Sequence, residues 1–228
     1  MASQLQPNAN TSVRVSKRVV GGFIKSPLVK VLVGPDSDRS ELYIHQSIIV
    51  SRSGFFASAL GGRWSNSDTN VVDLYKAAPD LILKDITCYL EAVYTNQIAN
   101  GKHLGAPIEI CRVYVVAERL NDVQTRNLAV EALYKRIGRV GPNGMYYAVP
   151  SIRCLDVVYR GTAQAKNLMR KLLVDAWRGS GNIHVLEEHL EDCPREFLVE
   201  LAAAAVRKMP GESQDQSSIL DLEAYLED

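Results

Sequence analysis

The stretch Glu41–Leu60, ELYIHQSIIVSRSGFFASAL, most limits what this chain can become, because its hydrophobic period changes partway along. Leu42 and Ile44 alternate with Glu41, Tyr43 and His45, the two-residue period of a strand with one buried face. Beyond them Ile48, Ile49 and Phe56 follow helical spacing, and Ser53 stands where its hydroxyl can cap a new turn opening at Gly54. The expectation is a buried strand feeding two short helices. Tyr43-x-His45 marks the corner, and Arg52-Ser53 separates the helices.

The flanks extend this pattern. Leu28–Val33 is a β-branched run interrupted by Lys30 and closed by Gly34-Pro35-Asp36-Ser37-Asp38, so it predicts an antiparallel hairpin with the strand at 41–45. Gly61–Asp68 reads as a loop and Val71–Leu74 as a third short strand. A helix opened by Pro79-Asp80 then carries Ile82, Ile86, Tyr89, Leu90 and Val93 on one face and ends at Thr95-Asn96. After a loop, a second helix runs from Pro107 with Ile110, Val113, Tyr114, Ala117 and Leu120 on one face. Asn121-Asp122 starts a third, bearing Leu128, Ala132, Leu133 and Ile137.

Gly138–Gly144 is a breaker and the expected edge of a first domain spanning 28–137. Three further helical patterns, at 151–160, 162–178 and 194–208, form an expected helical extension over 145–209 that packs on it. Residues 1–27 hold four bases and no acid and read as a flexible basic arm. The segment 210–228 holds six acids and no base and reads as a solvated acidic tail with one weak amphipathic turn at 219–226.

Composition narrows the function. A chain of 228 residues can bury a real core, and 46% hydrophobic with 23% charged residues is ordinary for a globular protein. Zero net charge and no helix with a basic face argue against nucleic acid. Cys88, Cys111, Cys154 and Cys193 lie far apart without a C-x-x-C pair, as expected for reduced thiols. No run has signal-peptide character or approaches the roughly 20 apolar residues of a membrane span, so the expected setting is intracellular, cytoplasm or nucleus, with no membrane partner. Phosphate-cradling and nucleophile-elbow motifs are missing, so no enzyme, catalytic residue or cofactor is expected.

One cluster invites a metal. His184, Glu187, Glu188, His189 and Cys193 spell H-x-x-E-E-H, one residue too long for the inverted zincin motif. On a helix, five residues rotate by about 140°, so His184 and His189 would not share a face. Two ligands, His189 and Cys193, do not close a zinc site. The expectation is a polar helix surface and no metal.

The order strand, hairpin, two short helices, strand and run of helices resembles the BTB/POZ domain family. Val31-Leu32-Val33-Gly34 stands where that family has its first strand and glycine. Tyr43-x-His45 and Arg52-Ser53, with Phe56, resemble its F-x-V-H-K and R-S-x-x-F. Tyr89-Leu90-Glu91-Ala92-Val93-Tyr94-Thr95 is similar to Y-L-x-x-x-Y-T-G. Val113–Leu120, with Ala117 and Leu120, is similar to V-Y-x-x-A-D-K-L. Val158–Thr162 followed by Met169–Leu173 further resembles the tail of small fungal BTB proteins without an accessory domain, so the likeness covers about 28–177.

The resemblance implies an α+β fold: a small, mostly antiparallel three-stranded sheet with about five helices. It also implies a non-enzymatic protein–protein interaction module, either self-associating as a homodimer or docking a protein partner. An alternative is a substrate adaptor for a cullin-type ubiquitin ligase. Two departures bear on these readings. In corepressor-binding members an Asp on the first strand pairs with the Arg of R-S; that position corresponds to Leu28, which leaves Arg52 without this acid. In cullin adaptors the loop after the second short helix carries an apolar residue, any residue and Glu, and here Trp64-Ser65-Asn66 puts an amide where the acid would be. The expected partner contacts are Arg63, Trp64, Ser65 and Asn66, the exposed side of the short helices, and the helix from Pro107 to Leu120.

Overall fold

The computed structural model describes residues 24–61, 70–98, 107–137, 149–163, 167–180, 183–206 and 221–227. Strand β1 (Leu28–Val33) pairs antiparallel with β2 (Ser40–His45) from Leu28↔His45 to Val33↔Ser40, and Gly34, at φ 90°, opens the connecting turn. Helices α1 (Gln46–Arg52) and α2 (Gly54–Leu60) follow, and β3 (Val71–Asp73) then runs parallel to β1. The sheet order is β2-β1-β3, so β2 is an edge strand. Val29, Val31, Val33, Ile44 and Val72 share the buried face, as the two-residue period requires.

Seven more helices than the first pair and α3 (Leu74–Ala77) complete the described chain. They are α4 (Leu83–Thr95), α5 (Pro107–Arg119), α6 (Val123–Ile137), α7 (Ile152–Gly161), α8 (Leu168–Ser180), α9 (Ile183–Glu188) and α10 (Arg195–Val206). The architecture is α+β, a small mixed sheet and ten α-helices among the described residues.

Helix α5 is the shared wall of two hydrophobic clusters. Val116, Ala117 and Leu120, just past its end, close the cluster of the sheet, α1, α2 and α4. Ile110, Cys111 and Tyr114 close a second cluster with α6, α7, α8 and Phe197 of α10. Val113, Val115 and Val116 are buried as well, while Arg119 is exposed and Glu109 and Arg112 are half-exposed, so the helix from Pro107 keeps a narrow polar side toward solvent. Where α7 ends against it, a Cβ on Gly161 would sit 2.4 Å from Val115 Cγ1, so only glycine fits that crossing.

Other boundaries shift for local reasons. The first long helix starts at Leu83, Pro79-Asp80 forms a turn, and Ile82 is its N-cap and 51% exposed instead of sitting on the core face. Asn96 ends α4 in the left-handed region at φ 54°. On α6 the buried residues are Thr125, Ala129, Val130, Leu133 and Ile137, and the expected Leu128 and Ala132 are half-buried beside them. Helix α8 begins at Leu168, since the Thr162 hydroxyl turns back to Val158 O and closes α7 instead of opening a new helix. The breaker 138–144 lies outside the described residues, as do most of the basic arm and residues 207–220.

Residues 221–227 depart most from the solvated-tail expectation. A single 3-10 turn, Leu222–Tyr225, presses its Tyr225 fully into the second cluster, with Leu222, Ala224 and Leu226 packed around it. An aromatic flanked by three apolar residues outweighs the surrounding acids once Arg126 and Lys171 lie alongside them.

Candidate functional site

The corner between the two short helices is held by a dense set of hydrogen bonds. Ser53 caps α2, its oxygen accepting from Phe56 N–H at 3.2 Å while its hydroxyl donates to Leu120 O at 2.5 Å. Gly54 N–H donates to Asn121 O and Phe55 N–H to Leu120 O, which ties this corner to the α5–α6 junction. Phe56, Ala117 and Leu120 are buried beneath it. Arg52, Ser53, Phe56, Ala117 and Leu120, drawn from separate motifs of the sequence, therefore meet at one place.

Arg52 has an acidic partner after all. Its Nε lies 3.5 Å from Asp122 Oδ1, and its Nη2 donates to Thr125 Oγ1 at 2.7 Å. Asp122, which is 0% exposed, also accepts from Thr125 N–H (2.9 Å), the Thr125 hydroxyl (2.7 Å) and the Tyr89 hydroxyl (3.1 Å). Burial, then the Asp122 charge, pushes the Tyr89 phenol well above its usual range, so it stays a donor. Arg52 is thus met by an acid that caps α6, 70 residues beyond it in the chain. Asp-x-x-Thr at a helix start is a capping signal, but nothing in sequence spacing joins it to Arg52. Every charge in this cluster is paired and sequestered, which makes it a joint between layers.

His45 and Tyr94 form a second couple. The Tyr94 oxygen accepts the His45 backbone N–H at 3.0 Å, and its hydroxyl lies 3.0 Å from His45 Nδ1. The Tyr94 phenol thus ties α4 to the corner where β2 passes into α1.

The proposed metal cluster disperses. Helix α9 ends at Glu188, and two turns carry His189 to Cys193, so the string is only partly a helix surface. The His184 side chain is almost wholly exposed beside Glu187, His189 faces Asp192 at 3.4 Å, and Cys193 is buried. Among the described residues no three His, Cys, Asp or Glu side chains group to hold a metal.

All four cysteines are unpaired. Cys111 and Cys154 stitch α5 to α7: the Cys111 thiol and Ser151 hold Cys154 down at about 7 against the opposing effect of burial, while Cys111 is driven up. Both are inaccessible, and only Cys88 is half-exposed. One thiol is therefore expected to react with a bulky aromatic disulfide reagent in the native protein, and the other three only after unfolding. Cys88→Ser should abolish the native reaction; two reactive thiols remaining in the folded variant would refute the assignment.

The expected contacts Arg63, Trp64, Ser65 and Asn66 lie outside the described residues. Tyr43 stands apart on the outer face of the sheet, 57% exposed, with Leu28 (48%) and Val71 (38%) on the same face. Between them Lys30 Nζ meets Glu41 Oε1 at 3.0 Å, and the Tyr43 hydroxyl donates to Glu41 Oε2 at 2.9 Å. These bonds raise Lys30 and lower Glu41, so the pair is charged and mutually neutralised. The result is a low-charge face edged by apolar groups.

The strand beneath it is open along one side. His45 N–H points to Tyr94 and Gln46 N–H to Pro27 O, so by alternation the Tyr43 and Glu41 main chains point off the edge of β2. Among the described residues no strand lies beyond it. No helix there is long and apolar enough to cross a membrane. Compared with protein-family models and with curated proteins, the chain matches none.

Proposed function

We propose that this chain is a non-enzymatic protein–protein interaction module of the BTB/POZ type, which associates with a second copy or a protein partner through the outer sheet face and the open edge of β2. The observation that carries the reading is the joint exposure of Leu28, Tyr43 and Val71 around a neutralised Lys30–Glu41 pair. Such a face loses little by leaving water, because Lys30 and Glu41 at its centre already satisfy each other. The edge strand adds main-chain donors and acceptors that a partner strand can meet. The run of strand, hairpin, two short helices, strand and helices supports the family reading, as does the Ser53-capped corner. The cullin-adaptor alternative turns on Trp64–Asn66.

Sedimentation equilibrium on the full chain tests this. The wild type is expected to self-associate, or to capture a partner, and Leu28→Asp/Tyr43→Asp to lose that association at least tenfold. Both side chains are exposed, so the thermal midpoint should shift little, surface changes of this kind costing about 0.5 kcal/mol or less. Equal association by the double variant and the wild type would reject the face. For the adaptor alternative, Asn66→Glu should strengthen pulldown of a cullin scaffold, and no gain removes it.

A further inference from the structure

Residues 221–227 contact the rest of the chain in the manner of a bound peptide. They lie beyond 207–220, fourteen residues past the end of α10 at Val206, and form no continuation of that helix. Their anchor is Tyr225, wholly buried, its hydroxyl donating to Asp175 Oδ2 at 2.8 Å and its ring set against Tyr134. Lys171 Nζ lies 4.9 Å from the ring centre and donates to Ala224 O at 3.1 Å.

Two residues on, the Asn127 carboxamide grips the main chain in both directions. Its Nδ2 donates to Glu227 O at 2.8 Å and its Oδ1 accepts Glu227 N–H at 2.9 Å, the pairing a neighbouring strand would give. The Glu227 carboxylate meets Arg126 Nη2 at 2.7 Å, and Arg126 is also held by Glu118. The groove thus reads an aromatic hydroxyl, a carboxylate two residues later, and the backbone of Ala224 and Glu227 on either side. A cavity of about 340 Å³ continues past Leu226 and Glu227 along Val123, Gln124 and Glu131.

We propose that this groove between α6 and α8 is a recognition site for an acidic, tyrosine-anchored peptide, filled in cis by residues 221–227 and able to take the same segment from a second copy. A buried aromatic with a two-point backbone clamp gives sequence selectivity, whereas a merely solvated tail would need neither. Tethering raises the local concentration of the cis segment to the millimolar range, so it blocks the groove against a dilute competitor until it is weakened. The site is separate from the sheet face, so exchange of the segment forms a second, independent contact between copies.

The test uses full-length chains in the Leu28→Asp/Tyr43→Asp background, which silences the sheet face. A fluorescein-labelled peptide of residues 219–228 is titrated by anisotropy. It should bind Tyr225→Ala chains at least tenfold more tightly than chains with an intact tail. A peptide with alanine in place of its tyrosine should lose at least tenfold. If Tyr225→Ala does not fold, Glu227→Lys frees the groove while keeping the aromatic in place. Complementation then checks exchange: Tyr225→Ala chains (groove intact) mixed with Asn127→Asp chains (tail intact) should form a 1:1 complex that neither forms alone. Equal binding of the two peptides, or no binding to any folded tail variant, would overturn the recognition site; peptide binding without a mixed complex would overturn exchange.

Discussion

Replacing Asp122 with alanine should destabilise the protein by about 3–5 kcal/mol, the cost of leaving a buried charge without its partner. Arg52 would keep its hydrogen bonds to Thr125, Val93 O and Asn96 but lose its only acid, with little water to take over. The Tyr89 hydroxyl and the Thr125 N–H would be orphaned at the same moment, and α6 would lose its cap. Asp122→Asn should cost less, since the amide oxygen can still accept one of these bonds. The pair itself is not needed for net stability: Arg52→Met/Asp122→Leu should be milder than Asp122→Ala alone, because no unpaired charge remains. Urea unfolding of the three variants checks this. A loss under 1 kcal/mol for Asp122→Ala would show that water reaches the site.

That joint also shows where sequence is readable and where it is not. Ser53 as a cap, the hairpin and the reversal of period after His45 follow from interactions a few residues long, so spacing alone exposes them. Arg52 with Asp122 does not, because the chain between them folds through α2, β3, α3, α4 and α5 before the two meet. Only a tertiary contact assigns that arginine its acid. Helix α5 carried a signal that a single-face reading passes over: Cys111, Val115 and Val116 fall outside the Ile110–Tyr114–Ala117 stripe, and they mark a second buried side. Tyr225 was hidden by its setting. Six acids in the last eighteen residues suggest solvation, and nothing local announces that Asp175 receives the Tyr225 hydroxyl while Asn127 and Arg126 hold Glu227 two residues on. For Tyr43 the alternation with Leu42 and Ile44 already points to the open face, and the residue stands exposed there.

Arg170→Met should be comparably damaging, by about 3–5 kcal/mol, although methionine fills much of the same volume. Arg170 is buried, with its Nε donating to Thr162 Oγ1 at 2.8 Å and its Nη2 to Tyr159 O at 2.9 Å and to Thr162 O. Its guanidinium also lies 4.3 Å from the centre of the Tyr159 ring and faces Glu200, which accepts the Tyr159 hydroxyl. One side chain therefore satisfies carbonyls at the end of α7, where the helix has no further N–H groups to offer, and neutralises an acid arriving from α10. Methionine replaces the packing and none of the donors. Lysine should recover only part of the loss, because a single ammonium cannot reach the three oxygens that the planar fork spans. The consequence should spread beyond α7, α8 and α10. Because α5 belongs to both hydrophobic clusters, loosening the second cluster removes support from the wall of the first. Near-UV circular dichroism and far-UV helicity should then fall together in one urea transition shifted to lower concentration. Two separated transitions in Arg170→Met, with the sheet cluster surviving the first, would show instead that α5 holds its place without the helices packed behind it.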